Sequence, residues 1–353
     1  MENTQKIGWG QFLLLLFMCR VFTLMTFVPM SANSGNLTMQ MIAAIIGTVI
    51  QAVLLIPIVL LKNSVTQTAL EKNRFCGVAI AGLYLLFFLF YTVSSLLHFQ
   101  KFLTARFFRN SGGIIMLAIL LAVCVYCASL GVEALGRSGV LLFWLFIAAL
   151  IIMVLYSAQD FDLTNLIFGK LSEKNLFTAV MDDISRNGEI CAAAFLAKHV
   201  REKLRCGVYG LLASKLLLIE AVTLLVTAVL GDFARLTDYP FLTVGTFGGT
   251  GFIQRGDALY LIVWTITAVI NISLFLHISA GLMVEVFPKI KFSATIAAVI
   301  VFAAAAVLTL TGEELSERGF RLLSGCSIIL LTGVIPLIFY MICRKKRGEK
   351  NNA

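Results

Sequence analysis

Long apolar segments run through this 353-residue chain almost from end to end, and they constrain its fold more than any other feature. A helix needs about 20 apolar residues to cross a bilayer, and about ten segments of that character follow one another here. Hydrophobic residues form 59% of the sequence and charged residues only 13%, so too few polar side chains are present to cover a soluble core. The runs are continuous rather than alternating, which excludes a membrane β-barrel and predicts an all-α integral membrane protein.

The apolar segments predict ten membrane spans with both termini on one side. Lys and Arg are more frequent on the side of the termini, which predicts that this side is cytoplasmic. The polar connection 158–185 is then extracytoplasmic, with short surface or half-membrane helices expected at 163–168 and 176–181, and residues 344–353 form a basic cytoplasmic tail. The predicted spans are residues 8–30, 38–61, 76–99, 113–130, 138–157, 186–199, 207–231, 257–282, 293–311 and 322–343.

The sixth span is too short to cross a bilayer unaided. Its apolar stretch, 190–197, has only eight residues and follows directly after Asn187, Gly188 and Glu189. In a protein with many spans, a short segment interrupted by glycine indicates a discontinuous helix. Discontinuous helices bind small molecules near the middle of the membrane in transporters built from inverted repeats. The sequence therefore predicts a ligand site at mid-depth beside Gly188 and Glu189.

Two ionisable residues at membrane depth are candidates for that site, because charges there are costly without a partner or a function. Arg20 lies midway along the first span. It can offer a cation to a ligand carboxylate, pair with Glu189, or form an internal ion pair that only fixes helix packing. Glu189 can cap the half-helix that begins at Gly188, because anions are favoured at helix N-termini. It can equally bind a ligand amine or couple to protons.

The seventh span contains two more ionisable residues, Lys215 and Glu220. They are five residues apart and therefore point about 140° away from each other around a helix, so the two side chains do not pair well. We expect each to pair with a group on another span. Together with Glu189, they are candidates for ion or proton coupling.

Polar residues also recur at helical spacing in two other spans. Tyr91 and Ser95 lie on one face of the third span, and Trp264 and Asn271 lie on one face of the eighth. Such stripes either line a water-filled path or form hydrogen bonds between helices.

Several function classes find no support in the sequence. The eight cysteines lie mostly in or beside apolar spans, and the Cys124–Cys127 pair has no histidine nearby, so we expect no metal site and no cofactor. The sequence contains neither G-x-S-x-G nor H-E-x-x-H, and we do not expect an enzyme. The net charge of +9 reflects the cytoplasmic bias and contact with anionic lipid rather than nucleic-acid binding.

Short blocks of sequence, taken in their order and spacing, resemble the spore germination B-subunit (GerAB-type) family of the amino acid/polyamine/organocation transporter superfamily. The blocks are residues 131–137 (GVEALGR), 158–166 (AQDFDLTNL), 187–189 (NGE), 239–240 (YP) and 252–259 (FIQRGDAL). The resemblance covers most of the chain. One departure is the first span, which carries bulky residues from Arg20 to Thr23 where superfamily members usually have glycines.

The resemblance implies a five-plus-five inverted repeat with a LeuT-like fold, with repeats at about 8–157 and 186–343 and with the first and sixth helices broken around a central site. The implied function is that of a germinant-sensing subunit in the inner membrane of a spore, which binds a small molecule, typically an amino acid. Its implied partners are an A-type membrane subunit and a C-type lipoprotein. The alternative is a proton- or sodium-coupled transporter of amino acids or amines. The candidate ligand-binding residues are Arg20, Val21, Phe22, Thr23, Tyr91, Ser95, Gly188, Glu189 and Asn271.

Overall fold

Helices make up almost all of the regular structure in the computed structural model. It describes residues 7–26, 36–60, 65–66, 69, 74–106, 113–166, 169, 173–196, 200, 205–247, 256–290, 292–311 and 317–342. The α-helices of these residues are α1 (Trp9–Thr26), α2 (Leu37–Leu60), α3 (Arg74–Arg106), α4 (Gly113–Ser129), α5 (Val132–Ser157), α6 (Glu173–Ser185), α7 (Gly188–Leu196), α8 (Arg205–Leu230), α9 (Pro240–Phe247), α10 (Gly256–Val286), α11 (Ser293–Thr311) and α12 (Glu317–Ile329). After α12 a π-helical turn, Leu330–Val334, leads into further helix up to residue 342.

Eight helices in the described part of the chain are long and apolar enough to cross a membrane. Gly113–Ser129 is a shorter apolar helix. The sixth predicted span, 186–199, contains α7, and α6 directly precedes it in the stretch predicted as a connection. We refer to α6 and α7 together as the two halves of the sixth span. The predicted all-α, multi-spanning architecture is therefore confirmed, and each of the ten predicted segments corresponds to helix.

The core of the bundle is built around α1 and α10, whose residues are mostly buried. α10 packs along α3 and also contacts α1, α4, α5 and α11. By contrast, α5 and α11 leave most of their apolar side chains exposed, as expected of helices that face lipid. The two halves of the sixth span lie against this core: α6 packs on α2 and α12, and α7 packs on α1 and α12.

The first span differs from its prediction in one respect. α1 is helical from Trp9 to Thr26, so the break predicted at Arg20–Thr23 was wrong at that position. Neither glycine nor proline occurs between Cys19 and Thr23, and the hydroxyl of Thr23 donates a hydrogen bond to the carbonyl of Cys19 within the same helix, at 3.2 Å. Arg20 supplies charged N–H donors from its side chain, so the helix need not unwind to expose backbone donors. Residues 27–35 lie outside the described part of the chain.

The polar connection after α5 contains more structure than a loop. It has 3₁₀ turns at Ala158–Asp160 and Leu163–Asn165, followed by α6. Asp162 caps the second turn, because its carboxylate accepts hydrogen bonds from the hydroxyl of Thr164 at 2.6 Å and from its backbone N–H at 2.8 Å. These bonds favour the charged carboxylate and lower the pKa of Asp162. The half-membrane helix expected at 176–181 is the middle of α6.

The predicted basic tail, 344–353, and the end of the sixth predicted span, 197–199, lie outside the described residues. Just beyond that end, Val200 forms an isolated parallel bridge with Ile7, which places the beginning of the chain beside the end of the sixth span.

Candidate ligand-binding site at the break of the sixth span

The sixth span breaks between α6 and α7, at Arg186 and Asn187. A helix end leaves its last carbonyl groups without intrahelical partners. Here local groups satisfy them: the Ser185 hydroxyl donates to the carbonyl of Asp182 at 2.9 Å, and the side-chain amide of Asn187 donates to the carbonyl of Asp183. The backbone N–H of Asn187 donates to the carbonyl of Ile184 at 3.1 Å. The residues 185–187 therefore supply donors to the carbonyls of Asp182, Asp183 and Ile184 at the end of α6.

Arg20 reaches this break from α1. Its Nη1 donates to the carbonyl oxygen of Arg186 at 3.0 Å, and its Nη2 lies 3.0 Å from Oδ1 of Asp183. A cation at the C-terminal end of a helix is favourable for the helix dipole of α6. The pairing of Arg20 with Glu189, one alternative raised by the sequence, is not observed, because Asp183 is the carboxylate that takes the salt bridge.

Asp183 is shared between two buried cations. Its other oxygen, Oδ2, lies 3.5 Å from Nζ of Lys215 and accepts a hydrogen bond from Nε2 of Gln51 at 3.1 Å. Lys215 also donates to Oε1 of Gln51 at 2.5 Å. The side chains of Arg20, Asp183 and Lys215 are at most 10% exposed. We call Arg20, Asp183, Lys215 and Gln51 the ionic cluster. It joins α1, α2, α6 and α8 at the level of the break.

The expectation for Lys215 is confirmed, since it pairs with a group on another span. Glu220 is different. Both of its carboxylate oxygens are enclosed and find no hydrogen-bond partner in the described residues, although Glu220 is within electrostatic range of Asp183. Asp183 and Gln51, the two residues that complete the ionic cluster, were not predicted from the sequence.

The start of α7 is held against α3. The backbone N–H of Gly188 donates to the hydroxyl of Tyr91 at 3.2 Å. The Tyr91 ring lies so close that a Cβ at position 188 would be 2.7 Å from its Cζ atom. Phe275 of α10 packs edge-on against the same ring, with centroids 5.3 Å apart. Gly188 is therefore required by the close approach of Tyr91, and the predicted sites on the third and sixth spans come together.

Glu189 occupies the first turn of α7, where a carboxylate is favoured by the helix dipole and by its own backbone N–H. This is the capping role expected from the sequence. Capping does not account for the whole carboxylate. Glu189 is buried, and its Oε1 has no hydrogen-bond partner among the described residues. Arg20, Lys215 and Asp183 all lie within electrostatic range of this carboxylate.

The remaining predicted site residues form two separate groups. Ser95 and Asn271 bond to each other across α3 and α10, at 3.2 Å, so these stripe residues make an interhelical hydrogen bond. Val21, Phe22 and Thr23 are buried on α1 beyond Arg20. Phe22 lies against Trp264, with ring centroids 6.0 Å apart, and serves packing.

Three unsatisfied polar atoms belong to residues at or beside the break. Arg20 Nε, Asn187 Oδ1 and Glu189 Oε1 are buried and find no hydrogen-bond partner within the described part of the chain. Roughly 90% or more of buried polar groups in proteins have such a partner. One of these atoms is a donor and two are acceptors, and all three belong to residues within or in contact with 186–189.

Comparison with solved structures supports the overall architecture. One matching structure is the crystal structure of MhsT in complex with L-phenylalanine, with a TM-score of 0.65 over 95% of this chain and 89% of the MhsT chain. Sequence identity is 17%, so the likeness concerns the fold alone, and it confirms the predicted LeuT-like fold. A search of curated protein sequences gives no match.

The sequence itself matches a protein-family model described as "Spore germination protein". The match extends over residues 6–315, which includes all of α1 to α11 and thus both halves of the broken sixth span. It agrees with the resemblance found in the short sequence blocks. The chain therefore belongs to the spore germination protein family.

Proposed function

We propose that this protein is the germinant-sensing membrane subunit of a spore germination receptor and that it binds a small zwitterion, an amino acid, at the break of the sixth span. The observation that carries the proposal is the set of three unpartnered buried atoms at the break, Arg20 Nε, Asn187 Oδ1 and Glu189 Oε1. Membership of the spore germination family and the transporter fold support it.

The chemistry of these atoms suits both ends of an amino acid. An ammonium group has three N–H donors, and Glu189 Oε1 and Asn187 Oδ1 are acceptors for them. A carboxylate accepts from Arg20 Nε, whose guanidinium is already held in place by Asp183 and the carbonyl of Arg186. Charge-assisted hydrogen bonds of this kind are about twice as strong as neutral ones. Tyr91 holds the start of α7, and Ser95 and Asn271 join α3 to α10. Val21, Phe22 and Thr23 are buried on α1 directly after Arg20.

Signal transfer then follows from the position of the site between helices. A ligand that contacts α1 and the break together favours the arrangement of α6 and α7 in which both contacts are made, and so shifts a two-state equilibrium. The receiving partners in this proposal are an A-type membrane subunit and a C-type lipoprotein. The protein would lie in the inner membrane of the spore with both termini in the cytoplasm, as the distribution of Lys and Arg predicts.

Replacement of Glu189 by Gln tests the site with little change of shape. We expect at least a tenfold rise in the ligand concentration needed for germination, because a hydrogen bond to a charged group contributes about 1.5–3 kcal/mol. The measurement is germination of spores that lack the gene and carry the wild-type or variant copy, against a panel of amino acids, sugars and nucleosides. Protein abundance is measured in the same spores.

Glu133→Gln is the matched control, because Glu133 is an exposed carboxylate that pairs only locally, with Arg137 on the same helix. It should respond like wild type. An unchanged response of Glu189→Gln at normal abundance would contradict the site. A gene deletion that leaves germination with every compound unchanged would contradict the receptor role itself.

A transporter of amino acids or amines, coupled to protons or sodium, is the second candidate. The enclosed, unpartnered carboxylate of Glu220 favours it, because such groups mark ion and proton pathways in membrane proteins. Uptake of labelled amino acid into proteoliposomes containing the purified protein distinguishes the two functions. Uptake driven by an imposed proton or sodium gradient supports transport, and binding without uptake supports a sensor.

A further inference from the structure

A polar pocket of about 240 Å³ lies at the end of α2 and α8 that is remote from the ionic cluster. Leu37 at the start of α2, Thr227 near the end of α8, and Asn165 line it. Asp232 and Arg235 of the adjacent 3₁₀ turn, Gly231–Leu236, form its rim and pair with each other at 3.8 Å. The Asp232 side chain is 84% exposed, so this rim is in contact with water. The pocket is on the side opposite the termini, which is the predicted extracytoplasmic side.

α2 and α8 connect this pocket with the ionic cluster. The two helices pack on each other. At one end Gln51 of α2 bonds Lys215 of α8, and at the other end Leu37 and Thr227 line the same pocket. Between these fixed points each helix advances by about 18–21 Å, at 1.5 Å per residue. The two ends of the contact are thus the buried ionic cluster and an outer pocket.

Polar side chains occur on both helices between the ionic cluster and the outer pocket. On α8, Glu220, Thr223 and Thr227 are spaced i, i+3, i+7 and therefore share a face. On α2, Gln40, Thr48 and Gln51 are all buried. We call these six residues the polar seam. Its middle contains unsatisfied atoms: both carboxylate oxygens of Glu220, Oγ1 of Thr223 and Oγ1 of Thr48 are buried without a hydrogen-bond partner in the described residues. Thr223 itself is only 1% exposed.

We propose that the polar seam is a proton-access route from the outer pocket to the ionic cluster, and that Glu220 is its proton-binding group. The carboxylate of Glu220 accepts one proton from water in the outer pocket and returns it by the same route. The hydroxyls of Thr223 and Thr48 carry the hydrogen-bonded connection. An unpaired carboxylate enclosed away from water is costly, and binding a proton removes that cost.

The surrounding charges make a proton a better occupant than a metal ion. The charged groups on elements that pack against α8 are Arg20 on α1 and Asp232 and Arg235 on the outer turn, with Lys215 on α8 itself and Asp183 within electrostatic range. α2, α9 and the turn Leu163–Asn165 contribute no ionisable side chain. Two carboxylate oxygens and one hydroxyl from α8 are too few for a hard cation, which takes about six or more oxygen ligands.

Proton binding at Glu220 goes beyond the proposed receptor function and does not require it, so its test uses no germinant. The full-length protein in proteoliposomes is titrated from pH 5 to pH 9 while infrared spectra are recorded. We expect a protonated-carboxyl band that titrates in the wild type and is lost in Glu220→Gln. Glu133→Gln, with its exposed carboxylate, should retain the band. A titrating band of equal size in Glu220→Gln overturns the assignment.

Exchange into D₂O tests the seam. A carboxyl group in contact with water through the seam should shift its band within seconds of the change of solvent. In the double variant Thr48→Val/Thr223→Val we expect this exchange to slow at least tenfold, whereas Thr311→Val on α11 should exchange like wild type. Exchange at the wild-type rate in the double variant overturns the route.

A carboxylate band that responds to NaCl but not KCl, with no protonated form at any pH, would identify sodium as the occupant and overturn the proposal. Monodisperse elution of each variant verifies folding.

Discussion

Asp183→Asn is expected to destabilise the protein by about 3–5 kcal/mol, the cost of removing one partner from a buried ion pair. The substitution leaves the guanidinium of Arg20 and the ammonium of Lys215 buried without the carboxylate that lies 3.0 and 3.5 Å from them. The side-chain amide of Asn also has only one oxygen that accepts hydrogen bonds, whereas both carboxylate oxygens of Asp183 do so. The expected result is a lower melting temperature for the purified protein and a lower abundance in membranes.

The neighbouring carboxylate provides a matched control. Asp182 lies on the same helix and pairs with Arg321, and both of these side chains are partly exposed. Asp182→Asn should therefore cost less, in the range of about 1 kcal/mol that is typical of pairs nearer water. Equal melting temperatures for the two variants would show that Asp183 does not hold two cations together.

A second variant separates charge from packing. Removing one stranded cation as well, in Asp183→Asn/Lys215→Met, should recover part of the lost stability, because only Arg20 is then left unpaired. Asp183→Glu should not behave as a conservative change. The Asp183 side chain packs closely on α2 at Gly47, where an added Cβ would lie only 2.5 Å from Asp183 Oδ2, so a longer side chain has little room.

The sequence predicted the break in the sixth span better than the ion pairs around it. The short apolar stretch after Gly188 correctly indicated a broken helix, because membrane-crossing length is a direct count of residues. Tyr91 and Gly188 were both predicted and meet in the structure. Asp183 was not predicted, because it lies in α6, whose polar residues made the segment resemble a connection between spans.

A charge balance could have pointed to Asp183. Two cations at membrane depth, Arg20 and Lys215, need anionic partners, and the sequence analysis offered only Glu189 and Glu220. Which carboxylate pairs with these two cations depends on where α6 ends relative to α1 and α8, and no local sequence pattern encodes that tertiary contact. A tertiary contact that no local pattern encodes also explains why α1 is continuous past Arg20. The Arg20 side chain reaches the carbonyl of Arg186, so the helix need not unwind at this point.

The structure also distinguishes two kinds of buried polar residue that look alike in sequence. Ser95 and Asn271 satisfy each other across α3 and α10, so they serve helix association. Glu189 on α7 and Glu220 on α8 retain carboxylate oxygens without hydrogen-bond partners in the described residues. The satisfied pair predicts stability, whereas the unsatisfied carboxylates are the groups on which the proposed ligand and proton sites rest.

Gly188→Ala is expected to impair function and to destabilise the protein by about 1–3 kcal/mol, the usual cost of overpacking a filled core. The new Cβ would lie 2.7–2.9 Å from three atoms of the Tyr91 ring. That ring cannot easily retreat, because Phe87 and Phe275 pack against it at centroid distances of 5.6 and 5.3 Å. The substitution therefore moves α7 away from α3 and breaks the bond from the Gly188 N–H to the Tyr91 hydroxyl.

Gly82→Ala is the control for the change of residue type. A Cβ at position 82 meets nothing within 4 Å, so this substitution should be neutral or should stabilise α3 by about 0.5–1 kcal/mol through helix propensity. Melting temperature and germination response are measured for both variants. Removing the ring in Gly188→Ala/Tyr91→Leu should restore part of the stability, because it frees the space that the Cβ needs. If Gly188→Ala instead matches Gly82→Ala in both measurements, the contact between α3 and the break does not constrain the site, and the ligand-binding arrangement of α7 cannot depend on Tyr91.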